Sequence, residues 1–174
     1  MTRLDRPATL VPHLKANAAA WGEILGVDAS PLEIFGRVEA LSLGWAALQR
    51  EVLAGFGINY AELATLGMLR TTKPEPRCSP SDLRALVGQS SAGMTRILDK
   101  LEAEGHLHRA YTNEQDRRRV DIVLGPSGAA LAESALRALL AAEAELLDGL
   151  GAARRASIAS GADALLEGLA ARRK

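Results

Sequence analysis

Cysteine occurs once in this chain, as Cys78, so no disulfide can form within it and a reducing compartment is its natural setting. Aromatic residues are nearly as scarce, at 3% against 48% for all apolar residues. Leu, Ala and Val must therefore build the core, and Ala and Leu lose little side-chain freedom in a helix. The expected fold class is mainly α. No apolar stretch approaches the ~20 residues of a membrane span, and Met1 to Leu10 has no apolar export core, so a cytoplasmic protein is expected. An excess of one charge is missing as well: 21 Lys plus Arg balance 21 Asp plus Glu. Binding to a polyanion would have to rest on where the charges lie, not on their sum. Catalytic constellations are absent too. Gly125-Pro126-Ser127-Gly128 lacks a lysine to hold a phosphate, and no nucleophile motif gathers Ser, His and an acid. Neither an enzyme nor a cofactor is expected.

What the chain does have is helical periodicity, punctuated by clear starts and stops. Residues 1–30 form a leader in which His13 to Leu25 can make a short helix, with Asp28, Ser30 and Pro31 as a stop and restart. A long helix follows over 31–57. Ile34, Val38, Leu41, Trp45, Leu48, Val52 and Phe56 recur at steps of three and four and share one face, and Gly55 and Gly57 end it. That stripe requires either a core or a second subunit to cover it. Asn59 and Glu62 match a capping box for the next helix, whose inner residues are Leu63, Leu66 and Leu69. Thr71 to Arg77, with two prolines and no period, reads as a loop. Ser79, Pro80 and Asp82 then spell a hydroxyl cap, a first-position proline and a first-turn acid. The short helix they open breaks at Gly88-Gln89. Ser90 or Ser91 caps another, with Met94, Ile97, Leu98 and Leu101 inward and Gly105 as its stop. Two helices about a tight glycine turn are a helix-turn-helix.

The period then changes from helical to alternating. His106 to Ala110 is extended, Tyr111 to Arg118 is polar, and Val120, Ile122 and Leu124 alternate as in a half-buried strand. A hairpin in that position is a wing. From Gly125-Pro126 onward the chain is rich in Ala, Leu and Glu, interrupted at Gly149 and Gly151 before a last helix. The expected organisation is thus a leader (1–30), a long helix (31–57), a winged helix-turn-helix lobe (58–125) and terminal helices (126–174).

This order of elements, together with its local words, resembles the MarR family of bacterial regulators. Ile58-Asn59-Tyr60-Ala61-Glu62-Leu63 is similar to the opening of that family's second helix. Ser90-Ser91-Ala92-Gly93-Met94-Thr95-Arg96, Leu98-Asp99-Lys100-Leu101-Glu102 and Gly105 are similar to its recognition helix. Asp116-Arg117-Arg118-Arg119-Val120, with Leu124 and Gly128, resembles its wing. The likeness spans about residues 32–170. Two features depart from it: the long leader, and Gly125 where the family often carries a threonine, a stronger cap. The resemblance implies a dimeric, sequence-specific binder of double-stranded DNA, most simply a repressor on a pseudo-palindromic operator. The terminal helices would form the dimer, since one short helix reads only a few base pairs.

The residue chemistry suits that role. A helix in the major groove needs small or polar outward residues with one long donor. Ser91, Ala92, Thr95 and Arg96 meet this, with Ser90 and Lys100 at the margins of the set; Arg96 can pair bidentately with guanine, and the helix N-terminus can receive a phosphate. Arg117, Arg118 and Arg119 at a hairpin tip suit the negative minor groove. By the resemblance Arg118 is the inserted residue, and Asp116 would orient it through a carboxylate–guanidinium pair. In isolation such an arginine run is a solvated charge cluster; beside a helix-turn-helix it is better read as a wing. Charge focusing is slight: from Arg77 to Arg119 there are eight Lys or Arg against six Asp or Glu, a difference of +2.

Three sensing devices are open to this chain. Arg77 and the helix start at Ser79 could lower the pKa of Cys78 and make it a redox switch. His106 and His108 would share one side of a strand, which is metal-ligand spacing, although unpaired strand histidines usually serve no metal, and no metal site is expected. The family resemblance also implies a small lipophilic or phenolic effector in a crevice, for which Trp45, Phe56, Tyr60 and Met68 are candidates, though core packing accounts for each equally well.

Overall fold

A computed structural model of the chain describes residues 7–72, 77–111 and 120–172. Within them are seven helices and three short strands: α1 (Pro7–Leu25), α2 (Ser30–Ala54), α3 (Tyr60–Thr71), β1 (Arg77–Cys78), α4 (Pro80–Val87), α5 (Ser91–Ala103), β2 (Leu107–Tyr111), β3 (Val120–Leu124), α6 (Pro126–Leu146) and α7 (Ala152–Ala171).

Local chemistry sets most of these boundaries. Asp28 accepts hydrogen bonds from both the backbone N–H and the hydroxyl of Ser30, turning the chain into α2, where Pro31 and Glu33 occupy the first turn. Asn59 and Glu62 close a reciprocal capping box at the start of α3. Ser79 caps α4 by accepting from the Asp82 N–H at 3.2 Å, and Gly88 ends it in the left-handed region at φ 70°. Of the two serines open as the cap of α5, Ser90 is the one that accepts, from the Gly93 N–H at 3.1 Å.

The leader holds a full helix, six residues longer at its start than the expected short one. It lies along α2 with Ala18 buried, and Leu14 reaches so close to Gly36 that a Cβ there would fall 2.5 Å from Leu14 Cδ2. A second difference concerns Arg77 and Cys78. The sequence reads as loop here, yet these two residues form β1, paired antiparallel with β3 at Arg77↔Val123 and Cys78↔Ile122, so the sheet runs β1-β3-β2. A two-residue strand has no period to read; a non-local partner creates it.

The main core is aliphatic, as the shortage of aromatics demands. Leu66 and Leu69 of α3, Leu83 of α4, Met94, Ile97, Leu98 and Leu101 of α5, Leu107 of β2, and Ile122 and Leu124 of β3 pack together, joined by Ala132 of α6. Each fully buried Leu or Ile contributes about 1.5–3 kcal/mol relative to exposure. A smaller cluster of Leu53, Ile58, Leu63, Ala135 and Leu139 joins the end of α2 to α3 and α6.

The α2 stripe is different. Ile34, Val38, Leu41 and Trp45 are exposed, Leu41 by 72%, and only its C-terminal part meets the small cluster through Val52 and Phe56. The predicted apolar supply of the last two helices is likewise mostly uncovered: Leu139 is buried, but Leu146, Ile158 and Leu169 are exposed, and α7 has no buried residue. No helix among the described residues is long and apolar enough to cross a membrane.

Candidate nucleic-acid interface

Core burial decides which side of α5 faces outward. With Met94, Ile97, Leu98 and Leu101 inside, the 3.6-residue repeat leaves Ser91, Ala92, Thr95, Arg96 and Asp99 on the open side, and all five are exposed. Ser90, the exposed cap, stands at the near end of this surface. Thr95 donates its hydroxyl proton to Ser91 O at 3.0 Å, which pins its methyl group outward. Arg96 makes no hydrogen bond or ion pair among the described residues, so its guanidinium fork is available to a ligand. The surface is flanked by the β2–β3 hairpin, registered from Leu107↔Leu124 to Tyr111↔Val120. Asp116, Arg117, Arg118 and Arg119 lie between these strands, outside the described residues.

Two residues change the expected picture. Asp99, absent from the expected set, would set a carboxylate against any polyanion. Its partner is Arg109 of β2, whose Nη2 donates to Asp99 Oδ1 at 2.6 Å while Nη1 pairs with Glu102 and the backbone N–H bonds Glu102 Oε1 at 2.9 Å. Partial burial opposes the charge on Arg109, but these two carboxylates outweigh it and raise its pKa further. Arg109 thus ties the hairpin to α5 and pairs the Asp99 carboxylate on its open face. Lys100, expected among the DNA contacts, is placed elsewhere: its Nζ donates to Gly57 O and to Glu62 Oε2, each at 2.9 Å. A glutamate already used in a cap offered the sequence reading no sign that a lysine 38 residues away would join it.

The junction behind the hairpin is tightly tied, not loosened by Gly125. The Gly125 N–H donates to His106 O at 2.9 Å, and Ser127 Oγ donates to Gly105 O at 3.0 Å. With the hydroxyl proton used on Gly105, His106 Nδ1 donates to Ser127 Oγ at 2.8 Å, which requires the proton on Nδ1. A Cβ at Gly128 would lie 2.1 Å from His106 O, so only glycine lets α6 start this close to the turn.

The sensing candidates fare unequally. His106 lies before β2, not within it, and its Nδ1 is taken by Ser127. Cys78 packs against the main core; burial, followed by the nearby Asp82 charge, pushes its thiol pKa up, the reverse of activation. Of the proposed crevice residues, Trp45 and Tyr60 meet edge to face with ring centroids 5.5 Å apart, and Trp45 Nε1 donates to Glu143 Oε1 at 2.8 Å. Phe56 instead joins the small apolar cluster, and Met68 is 38% exposed on α3. The cleft of about 360 Å³ found in the described residues is elsewhere, between Trp21 and Leu25 of α1 and Pro31 and Leu32 of α2.

Comparison with known proteins agrees with this geometry. The model of the MarR family matches residues 56–119. The HTH-type transcriptional repressor YetL of Bacillus subtilis is 28% identical over 124 residues, spanning 71% of each chain. The same fold occurs in the DNA complex of MepR from S. aureus, with a TM-score of 0.66 at 21% identity over 75% of this chain and 94% of that one. It also occurs in BpsR of Bordetella bronchiseptica, described through regulation of its DNA binding by 6-hydroxynicotinic acid, with a TM-score of 0.62 at 22% identity over 76% and 89% of the two chains.

Proposed function

We propose that this chain is a transcriptional regulator of the MarR type that acts as a homodimeric repressor on a pseudo-palindromic operator in double-stranded DNA. The observation that carries the reading is the division of α5 into a fully buried apolar face and an open face of Ser91, Ala92, Thr95 and an unpaired Arg96. In this proposal Ser90 and Ser91 receive a phosphate at the helix N-terminus, and Thr95 and Arg96 read base edges. Arg118 enters the minor groove, oriented by Asp116, with Arg117 and Arg119 on the flanking phosphates. YetL, named as a repressor, supports the sign of regulation, and the MepR–DNA complex supports the ligand class.

Dimerisation rests on uncovered apolar surface. Phe35, Val38 and Leu41 of α2, Leu140 and Leu146 of α6 and Ile158 and Leu169 of α7 are exposed in one chain, more than a soluble monomer would present without purpose. A small aromatic or phenolic effector is proposed to act near the Trp45–Tyr60 pair, where α2 meets the DNA-binding lobe, by favouring a dimer whose half-site spacing mismatches the operator. BpsR offers a precedent for such control by a small aromatic acid. Equal effector affinity for free and DNA-bound protein would rule that mechanism out.

Selection of bound sequences from random duplex DNA tests the reading as a whole. The expected result is a two-fold symmetric site with half-sites one helical turn apart. No enrichment over the input pool would overturn it.

A further inference from the structure

Lys100 is the residue whose placement departs most from the simple interface. It lies four residues beyond Arg96 on α5, yet its ammonium turns inward to a junction of three elements. It donates to Gly57 O, just past the end of α2, and to Glu62 Oε2 in the first turn of α3. Glu62 is only 4% exposed, and the same Oε2 accepts the Asn59 N–H at 2.9 Å that closes the α3 cap. A buried carboxylate needs hydrogen-bond donors, and here one oxygen has two. The long, flexible lysine stem is held at both of its acceptors, so its charge is already engaged.

Resting on the DNA-binding reading above, we infer that Lys100, with Glu62 and the Gly57 carbonyl, is a positioning strut between the recognition helix and the junction where α2 passes into α3. It sets the angle at which α5 stands off α2, and in a dimer this angle fixes the tilt and separation of the two recognition helices. Lys100 therefore governs operator binding without touching DNA. Two observations separate this from ordinary packing. The contact is polar, and beyond α3, with which α5 already shares the main apolar core, it ties α5 to the connection after α2, which has no residue in that core. Its second acceptor, Gly57 O, also belongs to the short connection that carries α2 into α3.

The test uses the full chain and the operator obtained by selection, with Lys100→Met, Lys100→Arg and Glu62→Gln. Each protein is titrated against the operator across a salt series, and against operators whose half-site spacing is changed by one base pair. Lys100→Met is expected to bind about tenfold more weakly, with the salt slope of the parent and a flattened preference for spacing. Glu62→Gln, which keeps an oxygen acceptor for the Asn59 N–H and hence the cap, is expected to weaken binding in the same direction. Lys100→Arg, whose fork can reach both acceptors, stays near the parent. If Lys100 served a phosphate and Glu62 merely competed for it, Lys100→Met would lower the salt slope by about one and Glu62→Gln would tighten binding. Either result overturns the inference. Variants that bind like the parent also overturn it, while leaving the regulator reading intact; failure of the parent to select any duplex sinks that reading instead.

Discussion

A single methyl group has no place at Gly128, because it would meet His106 O at 2.1 Å and Leu124 Cδ1 at 2.9 Å. Gly128→Ala is therefore expected to lose about 1–3 kcal/mol, read as a lower urea midpoint, since the obstacle is backbone and cannot swing aside. Arg96 is the opposite case, an exposed side chain with nothing to lose in the fold. Arg96→Ala should leave thermal stability unchanged and relax preference at one base position, costing about 1–3 kcal/mol there. Arg118→Ala should weaken operator binding across sequences; parent-like affinity in both variants would remove the proposed contacts. Cys78 yields a prediction in pH. Its pKa is raised in the folded chain, so the thiol is neutral below the unfolded value, where its contribution to stability is complete, and that contribution fades as pH rises toward the folded value. Alkylation of the native protein near neutral pH should accordingly be slower than for a free thiol and accelerate in alkali. A fast reaction at neutral pH would restore the redox-switch reading that burial now opposes.

Among the secondary-structure elements, legibility in the sequence follows the range of the interactions that define each one. The caps at Asn59 and Ser79 act across three residues and could be read directly, as could the inward faces of α3 and α5, while the cap of α5 was narrowed to Ser90 or Ser91. Asn59→Ala should cost about 1 kcal/mol by thermal melting, and more if the freed Glu62 also loses its hold on Lys100. The two-residue β1 was not legible, because the strand it pairs with is β3, more than forty residues later. The full extent of α1 was missed because its start, with a proline at position 12, carries weak helix signals.

For the molecule as a whole, the sequence showed a stripe that needed covering but could not say by what. Ile34, Val38 and Leu41 have the period of a core face yet are exposed in the single chain. The role expected of Arg117, Arg118 and Arg119 is borrowed from the helix pair before them, and all three lie outside the described residues. If the open stripe is an interface between two copies, the melting temperature should rise with protein concentration, and sedimentation should give twice the chain mass. A melting temperature independent of dilution, with a monomer in the centrifuge, would exclude it. Helix α7 carries this further, since all twenty of its residues lack burial within their own subunit. Folding of that segment and pairing of chains would then be one event. When chains are few, the supply of competent readers would grow as the square of chain number, so halving synthesis would cut it about fourfold. A cell could thus tune the target gene steeply by a small change in how much of the regulator it makes, before any effector arrives.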